Sequence, residues 1–147
     1  MQTLSSVPCR AAAWLVLALG GLLLQGCAEK PAPQVPQPRL FSSDFQGAAK
    51  QCEAPKPKLS PGKETAAEMK LGNDGGWCAI SVAQDGAPYD AGLLTEPPAH
   101  GSVYIHPVGN ATRIDYMPDP RFVGNDAFVV TLLPGRPVLR VSVAVAR

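Results

Sequence analysis

The chain of 147 residues has only two histidines, His100 and His106, and no excess of charge, thirteen basic side chains standing against twelve acidic ones. A nucleic-acid partner selects for a basic surface that displaces counterions from phosphate, and a net charge of +1 supplies none. No nucleic-acid binding is expected. Recognisable catalytic motifs are lacking too: there is no G-x-S-x-G elbow, no phosphate-cradling loop and no H-E-x-x-H pair. On a continuous strand the two histidines would share one face about 20 Å apart, at ~3.3 Å per residue, too far to chelate one ion. His100 fits a turn and His106 a loop before Pro107, so no catalytic residue, metal or cofactor is expected. Nor is any apolar run long enough to span a bilayer. The longest, residues 11–24, has fourteen residues and as a helix reaches ~21 Å, short of a hydrocarbon core of roughly 30 Å.

Sixteen prolines and fourteen glycines point instead to strands, turns and linker. The apolar run, with Arg10 before it, reads as a cleavable export signal. It is followed at once by Leu24-Gln25-Gly26-Cys27, which resembles the lipobox of bacterial lipoproteins: a branched apolar residue, a tolerated position, a small residue and a cysteine. The resemblance implies that residues 1–26 are removed and that Cys27 carries the lipid, anchoring the protein to a membrane. Ala28 rather than aspartate follows the cysteine, which implies the outer membrane where the cell has two. A plain secretory signal with a chance cysteine is the simpler alternative; the small residue before Cys27 and the abrupt loss of hydrophobicity after it favour the lipobox.

Residues 27–40 then form a tether. Prolines at 31, 33, 36 and 38 lock φ and favour an extended polyproline spacer of ~3.1 Å per residue, able to hold a domain ~40 Å from a membrane. Of the four cysteines, Cys9 leaves with the signal and Cys27 is acylated. Cys52 and Cys78 remain, and an even remainder in an exported chain points to a disulfide. A two-thiol metal site lacks the further close Cys or His partners that zinc needs; two free thiols are the other alternative.

Residues 41–147 make up the folded domain. The leader holds one charge, Arg10, so twelve of each sign remain and the mature chain is formally neutral. Its apolar residues recur with period two, as in half-buried strands. Residues 138–145 put Leu139, Val141, Val143 and Val145 on one face. Residues 127–133 gather Phe128, Val130 and Leu132, and Pro134-Gly135-Arg136-Pro137 between the two runs is a turn, making a terminal hairpin. A second hairpin joins residues 102–106, around Val103 and Ile105, to residues 112–117, around Ile114 and Tyr116. Residues 77–82 turn Cys78, Ile80 and Val82 inward. Residues 64–71 are rich in helix formers, yet Thr65, Ala67, Met69 and Leu71 alternate strictly, which favours a strand. Residues 42–51 offer at most a short helix, capped by Ser43 or Asp44. The expected fold is all-β, an antiparallel sandwich of about seven strands.

Three segments carry a further likeness: Pro97-Pro98-Ala99-His100-Gly101-Ser102-Val103, then Tyr116-Met117-Pro118, then Phe122-Val123-Gly124-Asn125-Asp126-Ala127-Phe128. Their order resembles the bacterial Ig-like or cadherin-like domains of exported proteins, and the likeness covers residues 93–145. It implies an Ig-like sandwich in which Gly101 and Gly124 allow tight backbone at strand starts, Pro118 ends an edge strand, Tyr116, Phe122 and Phe128 fill the core, and Asp126 caps a turn or accepts backbone amides beside Gly124. Two family features are missing. There is no second repeat, and Asp115, Asp119 and Asp126 lack the close carboxylate clustering of a calcium site.

The expected function is that of a lipid-anchored, non-enzymatic binding or structural module of the cell envelope, with an envelope protein or a polysaccharide as partner. An accessory or assembly subunit of an envelope secretion or attachment machine is the alternative. The contact surface is expected in the loops at residues 72–77 and 87–93, where Trp77 and Tyr89 are the candidates for an exposed aromatic contact; core or surface packing is the commoner fate of such rings.

Overall fold

A computed structural model describes residues 40–147; the expected signal, Cys27 and nearly all of the tether lie outside the described residues. After a single 3₁₀ turn (Ser42–Phe45) come eight strands: β1 (Cys52–Glu53), β2 (Glu64–Gly72), β3 (Cys78–Val82), β4 (Ala91–Glu96), β5 (Gly101–Val108), β6 (Ala111–Pro118), β7 (Gly124–Leu133) and β8 (Val138–Ala146). They form a β-sandwich of a five-stranded sheet, in the order β1-β2-β8-β7-β4, and a three-stranded sheet, in the order β3-β6-β5.

Period-two patterning decides the register. In β2, Ala67, Met69 and Leu71 are buried while Glu64, Glu68 and Lys70 face solvent. A helix over the same residues would scatter these three apolar side chains, so burial of one face overrides helix propensity. Both expected hairpins form, β7 with β8 and β5 with β6. Leu139, Val141, Val143 and Val145 meet Ile80, Ile114 and Tyr116 in one core. Tyr116 and Phe128 reach across it from opposite sheets, their rings stacked with centroids 5.9 Å apart.

One pairing departs from the antiparallel expectation. β2 runs parallel to β8 from Glu64↔Val138 to Gly72↔Ala146, which is possible because everything between the two strands serves as the long crossover that parallel neighbours need. Three further corrections concern ends and edges. Residues 91–96, expected partly as loop, are the edge strand β4, held to β7 on one side. Pro118 ends the central strand β6 rather than an edge strand; β3 stops at Tyr116, so the proline forgoes no bond to it. In the 3₁₀ turn the carboxylate of Asp44 accepts the Phe41 amide at 2.7 Å from inside the turn, so neither Ser43 nor Asp44 precedes it as a cap.

The two cysteines are joined. Cys52 on β1 and Cys78 on β3 form a disulfide with Cα atoms 5.3 Å apart, linking the two sheets along one margin of the sandwich.

Candidate functional site

The three motif segments, scattered through the last third of the chain, meet at Asp126. Its carboxylate accepts the amides of Ala99 at 2.9 Å and His100 at 3.0 Å from the first segment, and the Tyr116 hydroxyl at 2.9 Å from the second. It also accepts the amide of Ala127. His100 stacks on Phe122 of the third segment at 4.3 Å, so Phe122 flanks the core rather than filling it. Gly101 is demanded by the same junction: a Cβ there would lie 2.6 Å from the Met117 carbonyl and 2.8 Å from the Tyr116 ring. Gly124 has φ +144°, closed to most side chains. Burial works to raise the Asp126 pKa, but its hydrogen-bond donors outweigh burial and hold it below the ordinary aspartate value. Burial, aided by Asp126, pushes Tyr116 well above the usual phenol range. The node is a lock on the fold.

The outer face of the three-stranded sheet carries a second polar cluster. Arg113 and Asp115 both point outward from β6, beneath residues 40–50, which lie across this face as a strap. Arg113 forms a bidentate pair with Asp115, Nε to Oδ1 at 2.8 Å and Nη2 to Oδ2 at 3.0 Å. Its remaining Nη1 donates to the carbonyl of Asp44 in the strap, and its guanidinium lies 4.2 Å above the Trp77 ring. His106 stands within β5, not in a loop as expected, and its Nε2 lies 3.1 Å from Asp115 Oδ2. Tyr104 packs beside the imidazole with ring centroids 4.6 Å apart.

Trp77 and Tyr89 take the packed alternative and do not form an exposed pair. Trp77 is half-buried between Arg113 and the strap, its indole N–H donating to the Gln46 carbonyl at 2.9 Å. Tyr89 is 9% exposed and belongs to the core, its amide donating to Thr112 Oγ1 at 2.9 Å. Apolar burial of these two rings wins over display. Tyr104, by contrast, stands out at 65% exposure; its place on the outward face of an alternating strand was the sequence signal for it.

Three ties complete the strap. The amide of Ala49 donates to the Trp77 carbonyl at 2.8 Å, and that of Trp77 to the Gly47 carbonyl at 3.0 Å. Beyond them the Lys50 amide donates to Asp74 Oδ2 at 3.0 Å, and this bond, with that from the Gly76 amide, lowers the Asp74 pKa.

What this face can do chemically is bounded by where its polar groups point. Arg113, Asp115 and Trp77 are turned onto one another or the strap, and the only buried side-chain polar atom without a partner among the described residues is Gln84 Oε1. No group of three or more His, Cys, Asp and Glu side chains suited to a metal is found among the described residues. Among the described residues a groove of about 670 Å³ lies at the opposite sheet beside Cys52, Lys70, Asn125 and Ala144. Comparison with protein-family models and with curated protein sequences gave no match to the chain.

Proposed function

We propose that the protein is a lipoprotein of the cell envelope, cleaved before Cys27, acylated on it and held at the outer membrane of a two-membrane cell. Its single Ig-like domain serves as a non-enzymatic binding or structural module. The observation that carries this reading is the Cys52–Cys78 disulfide: such bonds persist outside the reducing cytosol, which agrees with the export signal read from residues 1–26. The Ig-like assignment is supported by the way the three motif segments converge on Asp126. The module reading is supported by the Arg113–Asp115–His106 cluster, whose hydrogen bonds serve the fold and the strap. The partner is an envelope protein or a polysaccharide, met outside that closed network.

The test is maturation in the native host with labelled palmitate. The parent chain should incorporate label and shorten by its leader, while Cys27→Ser should stay at precursor length and unlabelled. Normal processing and membrane retention of Cys27→Ser would overturn the anchor.

A further inference from the structure

Exposed large apolar side chains are not spread evenly over the domain. Of the eight that are exposed among the described residues, Leu93, Leu94, Met117 and Val123 are 38–51% exposed, and the four most exposed, Leu40 at 60%, Phe41 at 59%, Phe45 at 66% and Tyr104 at 65%, all belong to the strap or to the sheet face beneath it. The ties of the strap place them on one side of the domain. Leu40 packs against Gly109 in the β5–β6 turn, the Asp44 carbonyl rests on Arg113, and Arg113 pairs across the ladder with His106, on which Tyr104 packs. An aromatic side chain presents ~150–250 Å², so four large apolar residues more than half exposed offer on the order of 400 Å², a size at which patches on monomers are commonly functional.

Position along the chain identifies what covers them. Leu40 follows Cys27 by thirteen residues, a fully extended reach of at most ~45 Å. A lipid on Cys27 therefore keeps this patch, the first part of the domain after the tether, within that distance of the bilayer. Aromatic side chains favour the boundary between headgroups and acyl chains. Tethering also raises the effective concentration of the patch at the bilayer, which favours contact by a patch too weak to bind free vesicles. Resting on the anchoring reading above, we propose that Leu40, Phe41, Phe45 and Tyr104 form a lipid-contacting face that seats the sandwich on the membrane holding Cys27.

The experiment uses the acylated mature protein in vesicles of phosphatidylethanolamine and phosphatidylglycerol, with brominated phospholipids as fluorescence quenchers. Probes are Phe45→Trp and Tyr104→Trp on the proposed face and Ser142→Trp on the opposite sheet, each corrected for the parent's Trp77. Quenching at positions 45 and 104 should exceed that at 142 several-fold. Adding Phe41→Ser to the Tyr104→Trp protein should at least halve the quenching without moving the melting temperature, because the Phe41 ring is exposed. Equal quenching at all three positions, or none in protein whose mass shows acylated Cys27, overturns the lipid face and leaves the anchor standing. Crosslinking of position 45 to a second copy, without quenching, overturns it in favour of self-association. Absence of acyl chains on Cys27 overturns both readings.

Discussion

Replacing Asp126 by alanine removes the acceptor shared by the amides of Ala99, His100 and Ala127 and by the Tyr116 hydroxyl. The four donors do not suffer equally. Tyr116 is fully buried but keeps a second acceptor, the His100 carbonyl at 3.2 Å, whereas the Ala99 and His100 amides are only partly buried and regain water. Hydrogen bonds to a charged group are worth ~1.5–3 kcal/mol each, and a buried donor left unmet costs ~1–3 kcal/mol. With partial rehydration the sum is about 2–4 kcal/mol, a large share of the ~5–15 kcal/mol of a typical domain. Urea unfolding under non-oxidising, non-reducing conditions is the assay. At a slope of ~2 kcal/mol/M the midpoint should fall by about 1–2 M with the slope unchanged.

Acidity gives an independent check on the same group. The native pKa of Asp126 is lowered, so its contribution is fully present above the unfolded aspartate value of ~3.9 and is lost as pH falls below that toward the native value. Asp126→Asn should remove this part of the acid sensitivity, flattening the loss of stability below pH ~4. A shift under 1 kcal/mol for Asp126→Ala, together with an unchanged acid limb for Asp126→Asn, would refute the lock.

Other outcomes follow from the staple and the strap. Cys52 and Cys78 are 26 residues apart, so the double change to alanine should cost about 3–4 kcal/mol on the chain-entropy model; a melting temperature equal to that of the parent would reject this. Arg113→Met leaves Asp115 buried without its bidentate partner and frees the Asp44 carbonyl. It should destabilise by about 3–5 kcal/mol and hasten proteolytic cleavage between residues 40 and 47, and unchanged cleavage would mean that the strap is held without it. In Gly76→Ala the added Cβ would run into the Ala49 backbone, so hydrogen exchange at the Ala49 amide should quicken more than exchange in β7 and β8.

Strands that bury one face announced themselves in the sequence, and elements stabilised otherwise did not. β2 and β8 alternate because each turns a row of apolar residues to the core. β4 has no such row: as an edge strand it leaves Leu93 and Leu94 exposed together, and its position comes from backbone pairing with β7 and from the Thr95 hydroxyl on the Val129 carbonyl. The parallel union of β2 with β8 was equally silent, since alternation states which face is buried but not which neighbour a strand takes. Tyr89 sits outside any periodic run, so its burial depended on loop geometry. The pair Arg113 and Asp115 was the readable clue to the outer-face cluster: opposite charges two residues apart on one strand share a face.

The two outer faces of the sandwich distribute their side chains differently. On the five-stranded sheet Glu64, Glu68 and Lys70 face water, and Arg140 bridges Glu64 and Glu96 at the surface. On the three-stranded sheet Arg113 and Asp115 are each 8% exposed beneath the strap, while Leu40, Phe41, Phe45 and Tyr104 are more than half exposed above or beside it. Covering an ion pair is unfavourable unless its remaining donors are met, and the strap meets one of them with the Asp44 carbonyl. Leaving large apolar side chains in water has no such compensation within the domain. The strap thus fastens the chain through buried polar groups and turns its apolar side outward, and that side follows directly on the segment leading from Cys27. In the proposed lipid-facing arrangement, contact with the membrane is what would remove this unfavourable exposure.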